Sequence, residues 1–505
     1  MIAGSVLAGT TLGLSAALSG CGQFAPGLLD GGRVSTIGEV DFTEPLAIPA
    51  LAESTTDASG TRVFDLTAAQ SQSIFSPGSH TPTLGYSTPE ASRSYLGPTL
   101  DIGSGERVRV DVHNELGETT TFHLHGMHLP AAMDGGPHQP IAAGATWSPE
   151  WVVAQQAATL WYHPHPHGET ESQVARGLAG MVIVRDEEEA QLGLPRSYGV
   201  DDIPVIVQDA SFEDDGAFSV DDRGFVGRLG DTLLVNGTTG PFFTVTTEAV
   251  RLRLLNASTA RTYDFGFADD LEFVQIASDG GLLAHPVPTT RVQLSPGERA
   301  EIVVRLSAGQ TLTLRSTPPD LGTESTPGAR NGAADSFDVL ELRAASDLTA
   351  SAVVPATLAK IDTISEAEAD ITRTMRMNGF VINGQPMDLA RIDDVVEVGS
   401  TEIWILRNEM ELPHNFHVRD VQFQVLSIDG RDPPPALAGW KDTVYLPPQS
   451  EVRIITRFDD YTDPALPYMY HCHLLWHEDQ GMMGQFVVVA PGQGAGTIQG
   501  DNHEH

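Results

Sequence analysis

The C-terminal stretch Tyr470-His471-Cys472-His473-Leu474-Leu475-Trp476-His477-Glu478-Asp479-Gln480-Gly481-Met482 gathers one thiol, three imidazoles and a thioether within thirteen residues. Soft and borderline donors of this kind suit copper far better than magnesium or calcium. If the segment entering the cysteine is extended, side chains alternate faces, so His471 and His473 point one way and Cys472 the other. Cys472 can then serve one metal while its neighbours serve others, a few covalent bonds away. That wiring predicts electron transfer from a mononuclear site to a cluster. His477 and Met482 follow where a loop can return a second imidazole and a weak axial sulfur to the same metal. One further ligand must come from elsewhere.

Working outward, twelve of the 17 histidines lie between residues 123 and 167 or between 414 and 477. They form four motifs: His123-Leu124-His125-Gly126, Trp161-Tyr162-His163-Pro164-His165, His414-Asn415-Phe416-His417 and His471-Cys472-His473. In a strand, an HxH pair sets two imidazoles on one face about 6–7 Å apart, enough to serve two metals. One HxH is a weak signal; four in matched positions of two repeats is a strong one.

The repeat has a period of roughly 150 residues, the scale of whole domains. Its first copy runs Gly97-Pro98-Thr99-Leu100, Arg107-Val108-Arg109-Val110-Asp111-Val112, Asn114 and Thr121-Phe122-His123. The second runs Val235-Asn236-Gly237, Val250-Arg251-Leu252-Arg253-Leu254-Leu255-Asn256 and Tyr263-Asp264-Phe265. The third runs Ile382-Asn383-Gly384, Ile403-Trp404-Ile405-Leu406-Arg407-Asn408 and His414-Asn415-Phe416-His417. Short alternating strands bounded by Gly, Pro and Asn predict an all-β chain of three tandem Greek-key β-sandwiches. Their expected extents are 44–190, 199–345 and 356–491, with a short helix over Asp186–Leu192. A tail follows over 492–505, carrying His503 and His505. The middle repeat holds a single histidine, His285, and reads as a spacer, which puts the chemistry between the first and third.

A formal charge of −38 argues against nucleic acid as a partner, since a polyanion is repelled. The acidity reads as a solvated surface. The basic residues are almost all Arg, with lysine only at Lys360 and Lys441, and no polybasic membrane patch is apparent in the sequence. With only two cysteines, Cys21 and Cys472, and one assigned to metal, no structural disulfide is expected. Residues 1–20 form an apolar, small-residue run ending Leu18-Ser19-Gly20-Cys21, which resembles the lipobox of bacterial lipoproteins. The expectation is a signal peptide over 1–20, a lipid anchor at Cys21 as the membrane link, a tether over 21–43 and a location on the bacterial cell envelope or in the periplasm. A secretory signal normally begins with basic residues, and none precedes this run. The competing reading is an apolar extension on a soluble protein.

Taken together, these motifs make the chain similar to the multicopper oxidases of the three-domain laccase-like, copper-efflux-oxidase type. The likeness runs from about Glu44-Pro45-Leu46 to Val489 and includes Gly439-Trp440-Lys441-Asp442-Thr443-Val444. It implies cupredoxin-like domains and four copper ions. By resemblance, His414, Cys472, His477 and axial Met482 hold the type 1 copper, so that His414 is the missing ligand. His123 and His417 hold the type 2 copper; His125, His163 and His473 hold one type 3 copper; His165 and His471 hold the other. Asp134 and Glu478 match acidic positions that relay protons in the family, and solvated surface carboxylates are the competing reading for both. His128, His138 and His167 fit no ligand position and read as polar neighbours.

One position departs from the pattern. The third motif should read His-x-x-His-x-His, and its last imidazole is here Arg419, which has no lone pair to give. Its charge also approaches a cationic cluster unless it turns to a carboxylate such as Asp420. Three readings stay open: a full copper set with water or His167 filling the gap, an incomplete cluster with fewer coppers, or a sequence error or inactivated variant. The function implied is one-electron oxidation of a phenol, aromatic amine or metal ion such as Cu(I) at the type 1 copper, coupled to reduction of dioxygen to water. The alternative is a non-catalytic or partly metallated copper-binding envelope protein. A copper nitrite reductase fits less well, having no use for paired HxH motifs. The 11 methionines are scattered, with no methionine-rich insert to single out cuprous ion; Glu409 and Glu411 lie where a reductant could approach, but a solvated loop is the preferred reading for both.

Overall fold

The repeated asparagine shows why the three units fold alike in the computed structural model, which describes residues 33–76, 78–89, 95–219, 223–322 and 331–498. Asn114 Nδ2 donates to the carbonyls of Glu118 and Ile141, Asn256 Nδ2 to those of Arg261 and Leu294, and Asn408 Nδ2 to those of Leu412 and Leu446. Each Asn Oδ1 also accepts from the backbone N–H two residues on, at Leu116, Ser258 and Met410. One side chain thus closes the loop after a central strand and ties it to a neighbouring one, satisfying backbone groups that would otherwise be buried unpaired. The Asn-Gly pairs sit in tight turns: Asn236 and Gly237 have φ of 50° and 75°, Asn383 and Gly384 of 53° and 74°.

The architecture is the expected all-β one, three tandem cupredoxin-like sandwiches of two sheets each. Alternation sets the faces: along Arg107–Glu115, Val108, Val110, Val112 and Asn114 are buried while Arg107 and Glu115 are exposed. Each sandwich closes over its own core, around Phe64 and Val110 in the first, Leu252 and Ile302 in the second, and Trp404 and Phe486 in the third. The third core also takes in Ala131 from the first unit and Val226, Leu229 and Ala260 from the second, so the units are docked by shared apolar packing. Asp186 caps the short helix Glu187–Gln191, its side chain accepting from Glu189 N at 2.7 Å.

Two strand pairs carry the histidine motifs. In the first sandwich a four-stranded sheet orders Leu100–Gly103, Gly180–Arg185, Ala158–His163 and His123–His125, with His163 opposite His123 and Trp161 opposite His125. In the third, Tyr468–His471 lies between Met483–Val489 and His414–Val418, with His471 opposite His417. Residues 33–43, expected as part of a tether, are pinned to the second sandwich: Val34 N donates to Asp335 Oδ1 and Gly38 N to Asp338 Oδ2, at 2.8 and 2.7 Å. The 1–20 signal segment, Cys21 and the tail histidines His503 and His505 lie outside the described residues.

Candidate metal centre

The alternation expected at Cys472 is present: its side chain faces one way and the two flanking imidazoles the other. Cys472 Sγ lies 3.5 Å from His414 Nδ1 and 3.6 Å from His477 Nδ1, and those two nitrogens are 3.1 Å apart. Met482 is buried, its N–H donating to the His477 carbonyl and its carbonyl accepting from Cys472 N. Burial pushes the Cys472 thiol up to about 12, so a metal that binds there must displace a proton. Burial holds His477 down at about 4, leaving a neutral imidazole with a free lone pair. Its other nitrogen, Nε2, donates to the carbonyl of Phe225 at 2.7 Å, which fixes the tautomer.

On the opposite side, seven buried imidazoles from four segments, His123, His125, His163, His165, His417, His471 and His473, share one chamber. His125 stacks on His417 at 3.8 Å between ring centroids, and His125 and His473 are 4.8 Å apart. His123 Nδ1 donates to the Asp134 carbonyl at 2.7 Å, His163 Nδ1 to that of Pro164 at 2.9 Å, and His417 Nδ1 to that of Asp442 at 2.9 Å. His125 Nε2 donates to Asp442 Oδ1 and Thr443 Oγ1, both at 3.1 Å. The remaining nitrogens, Nε2 of His123, His163 and His417 and Nδ1 of His125, are buried and unpartnered, as are both of His473. Burial lowers the basicity of these rings, holding His473 at about 3. Neutral imidazoles with one nitrogen anchored and the other facing its neighbours are what metal ions require, so the residues fit a copper cluster.

Arg419 does not turn to Asp420, as its sequence neighbourhood suggested. Asp420 takes a φ of 72°, and its carboxylate and carbonyl both pair with His128 Nδ1 at 2.9 Å. The guanidinium instead runs inward, where Nη1 donates to Asp134 Oδ2 at 2.5 Å with both side chains buried. Gly136 clears the space, since a Cβ there would meet Arg419 Nη1. Neither proton-relay candidate is a solvated carboxylate. Asp134 is bound to Arg419, while Glu478 lies with Oε1 2.9 Å from His165 Nε2 and Oε2 3.1 Å from His471 Nδ1. Burial opposes the charge on Glu478, but the two rings beside it hold its carboxyl well below the usual range. His165 Nε2 and His471 Nε2 face each other at 3.3 Å.

His167 is exposed and does not fill the gap left by Arg419, because the chain turns at Gly168, whose φ is 81°. His138 Nε2 donates to Gln485 Oε1 at 2.8 Å, and His128 bridges Asp420 and Asp460 at 2.9 Å each. Glu409 pairs with Arg376 at 2.7 Å and Glu411 is exposed.

The middle unit is more than a spacer, although it brings no ligand. Arg299 grips Asp442 with two bonds of 2.7 and 2.6 Å, and Asp442 in turn orients His125 and His417. Gly297, at φ 86°, lies so close that a Cβ would stand 3.1 Å from the His473 ring and 3.2 Å from His125 Cε1. Asn415 Nδ2 donates to Ser295 Oγ and the Pro296 carbonyl, while its Oδ1 accepts from His473 N at 2.6 Å. Sequence reasoning missed these roles because the partners lie more than a hundred residues apart. The one signal was the Pro-bearing turn that leads into a later strand of each repeat, Ser148-Pro149-Glu150, Ser295-Pro296-Gly297 and Pro447-Pro448-Gln449.

Comparison with known proteins agrees with this geometry. Family models described as multicopper oxidase match residues 83–189 and 355–492. The multicopper oxidase mco of Staphylococcus haemolyticus is 33% identical over 454 residues, which cover 88% of this chain and 92% of that protein. The cell division protein FtsP of Dickeya dadantii is 34% identical over 454 residues, covering 88% and 93%. Among solved structures, the laccase of Pediococcus acidilactici aligns with a TM-score of 0.79 at 35% identity, covering 88% and 93%.

Proposed function

Because the chain belongs to the multicopper oxidase family, we propose that it couples one-electron oxidation of a small reductant to reduction of dioxygen to water. His414, Cys472, His477 and Met482 would hold the type 1 copper, His123 and His417 the type 2 copper, and His125, His163 and His473 one type 3 copper. His165 and His471 belong to the second type 3 position. Copper bound at these centres supplies the one-electron chemistry and the activation of dioxygen.

The chain's own residues do the rest. Cys472 is covalently continuous with His471 and His473, so the donors of the two centres are separated by a few bonds. Asn415 holds that junction still by accepting from His473 N. Phe225 fixes the His477 ring at the outer edge, where Phe380 and Trp476 stand 5.1 and 5.8 Å from it between ring centroids and exclude water. Asp442 and Thr443 orient His125 towards the chamber. Phenols, aromatic amines and metal ions such as Cu(I) are the proposed reductants.

The observation that carries the proposal is the set of unpartnered, buried imidazole nitrogens around one chamber beside the His414-Cys472-His477 group, with Met482 buried and tied by its backbone to Cys472 and His477. The test is copper loading of the purified protein, followed by visible absorption and oxygen uptake with a phenolic reductant. A loaded protein without the blue thiolate absorption, or with it but without oxygen uptake, refutes the oxidase reading. A second reading, a copper-binding protein without turnover, is favoured by Arg419 at a family ligand position and by the likeness to FtsP. The lipobox-like Leu18-Ser19-Gly20-Cys21 supports a lipid-anchored, extracytoplasmic location. Among the described residues no helix is long and apolar enough to cross a membrane. Mass spectrometry of the membrane fraction tests the anchor, which an unmodified Cys21 thiol excludes.

A further inference from the structure

We propose that Glu478 is a metal ligand, supplying the third donor, with His165 and His471, at the position where Arg419 has replaced the family's imidazole. This rests on the reading of the chamber as a copper cluster. Three observations support it. The donor atoms of His165, His471 and Glu478 all lie within 4.8 Å of one another, the spread that a single ion can bridge. Glu478 Oε1 stands 2.9 Å from His165 Nε2, the nitrogen that faces His471 Nε2, so the carboxylate points at the space between the two rings. Among the described residues, no protein hydroxyl or backbone N–H satisfies either oxygen of this fully buried side chain, whose only polar neighbours are the two rings, Oε2 standing 3.1 Å from His471 Nδ1.

The surroundings make the replacement consistent. Arg419 cannot donate to a metal, and its nearest anion is Asp134, at 2.5 Å in a pocket that Gly136 keeps open. The arginine is therefore accommodated and neutralised, and its charge does not consume Glu478. Two imidazoles and one carboxylate make a donor set used for divalent first-row ions, and copper heads that affinity order. An anionic oxygen in place of a neutral nitrogen also adds a negative charge beside the cationic cluster. A glutamate committed to the metal leaves the proton supply to other groups.

The test is anaerobic copper reconstitution of the full chain, its Glu478→Gln variant and the double variant Arg419→His/Glu478→Gln, reading copper per chain, type 1 absorption and electron paramagnetic resonance. The amide keeps the volume of the carboxylate it replaces, and an unchanged type 1 band certifies the fold. The expected result is that E478Q loses one copper per chain and the magnetic coupling of the type 3 pair. The affinity of that copper should drop by at least the roughly 10–100-fold typical of losing an outer-shell partner. The double variant should recover the copper through its new imidazole. Unchanged copper content and coupling in E478Q overturn the proposal, even if oxygen uptake falls, since that combination marks a proton donor. Absence of the type 1 band in the wild type would instead refute the oxidase reading itself.

Discussion

Removing the guanidinium from Arg419 while leaving Asp134 in place should be among the costliest single changes in the third sandwich. The pair is sealed, with side-chain exposures of 0% and 4%, and its Nη1–Oδ2 distance is 2.5 Å. Burial already pushes the Asp134 carboxyl up, and Arg419 is the main influence opposing that. Breaking a buried ion pair by deleting one partner costs about 3–5 kcal/mol, because the other charge is stranded in a medium that cannot solvate it. Arg419→Met and Asp134→Asn should each show that cost. The double variant should fall well short of the sum, since two neutral groups strand no charge. Three docked sandwiches do not unfold in one step, so amide hydrogen exchange across His414–Val418 and Thr443–Leu446 is the suitable assay, on metal-free protein. A loss of about 3–5 kcal/mol lowers protection there by about two to nearly four decades. Single variants within about 0.5 kcal/mol of the parent, or strictly additive effects, would refute the reasoning.

Other outcomes follow from the same geometry. Gly297→Ala combines a left-handed backbone with a methyl group against His473 and His125. It should cost at least about 1–2 kcal/mol and reduce cluster copper while sparing the type 1 absorption, as metal analysis beside a visible spectrum will show. Cys472→Ser should abolish that absorption but keep the chamber's copper, because His471 and His473 hold their places; loss of all copper contradicts this. For His128, burial disfavours the charge, but Asp420 and Asp460 outweigh it and raise the ring to about 9. A raised folded-state value stabilises fully below about 6.5 and fades as pH climbs through about 9. His128→Gln should therefore cost about 1 kcal/mol at pH 6, discounted for the ring's partial exposure and for the upward pull of burial on Asp420 itself. The difference should close above about pH 10, and melting curves across pH test it.

Much of this was legible in the sequence because the local signals were strong. Alternation along Arg107–Glu115 places its valines inward, and the HxH spacing puts His123 and His125 with ring centroids 5.9 Å apart on one chamber. The direction of Arg419 was not legible. Asp420 is its neighbour in sequence but takes a left-handed backbone and faces His128, whereas Asp134 lies 285 positions away and meets the guanidinium only when the first and third sandwiches dock. The same holds for Arg299 and Asp442, and for Phe225 and His477, whose pairing depends on domain packing that no local pattern encodes. Glu478 reads from sequence as a proton carrier by analogy, and its place between two rings, from which the ligand role is proposed, has no local sequence signal.

The length of chain between the donors also sets a timetable. His165 and His471 meet across 306 positions, and the backbone of the middle sandwich closes on both centres through Gly297 and Phe225. Neither half of the molecule can assemble the chamber by itself. During synthesis, His123 and His163 emerge hundreds of residues before their partners and pair on one sheet with nothing to enclose an ion. The final segment, from Tyr468 onward, is what shuts the chamber, and contacts this distant in sequence form slowly. Any metal the chamber holds must therefore arrive late, at a nearly finished protein, because the last of its donors, His471 and His473, enter with the final segment.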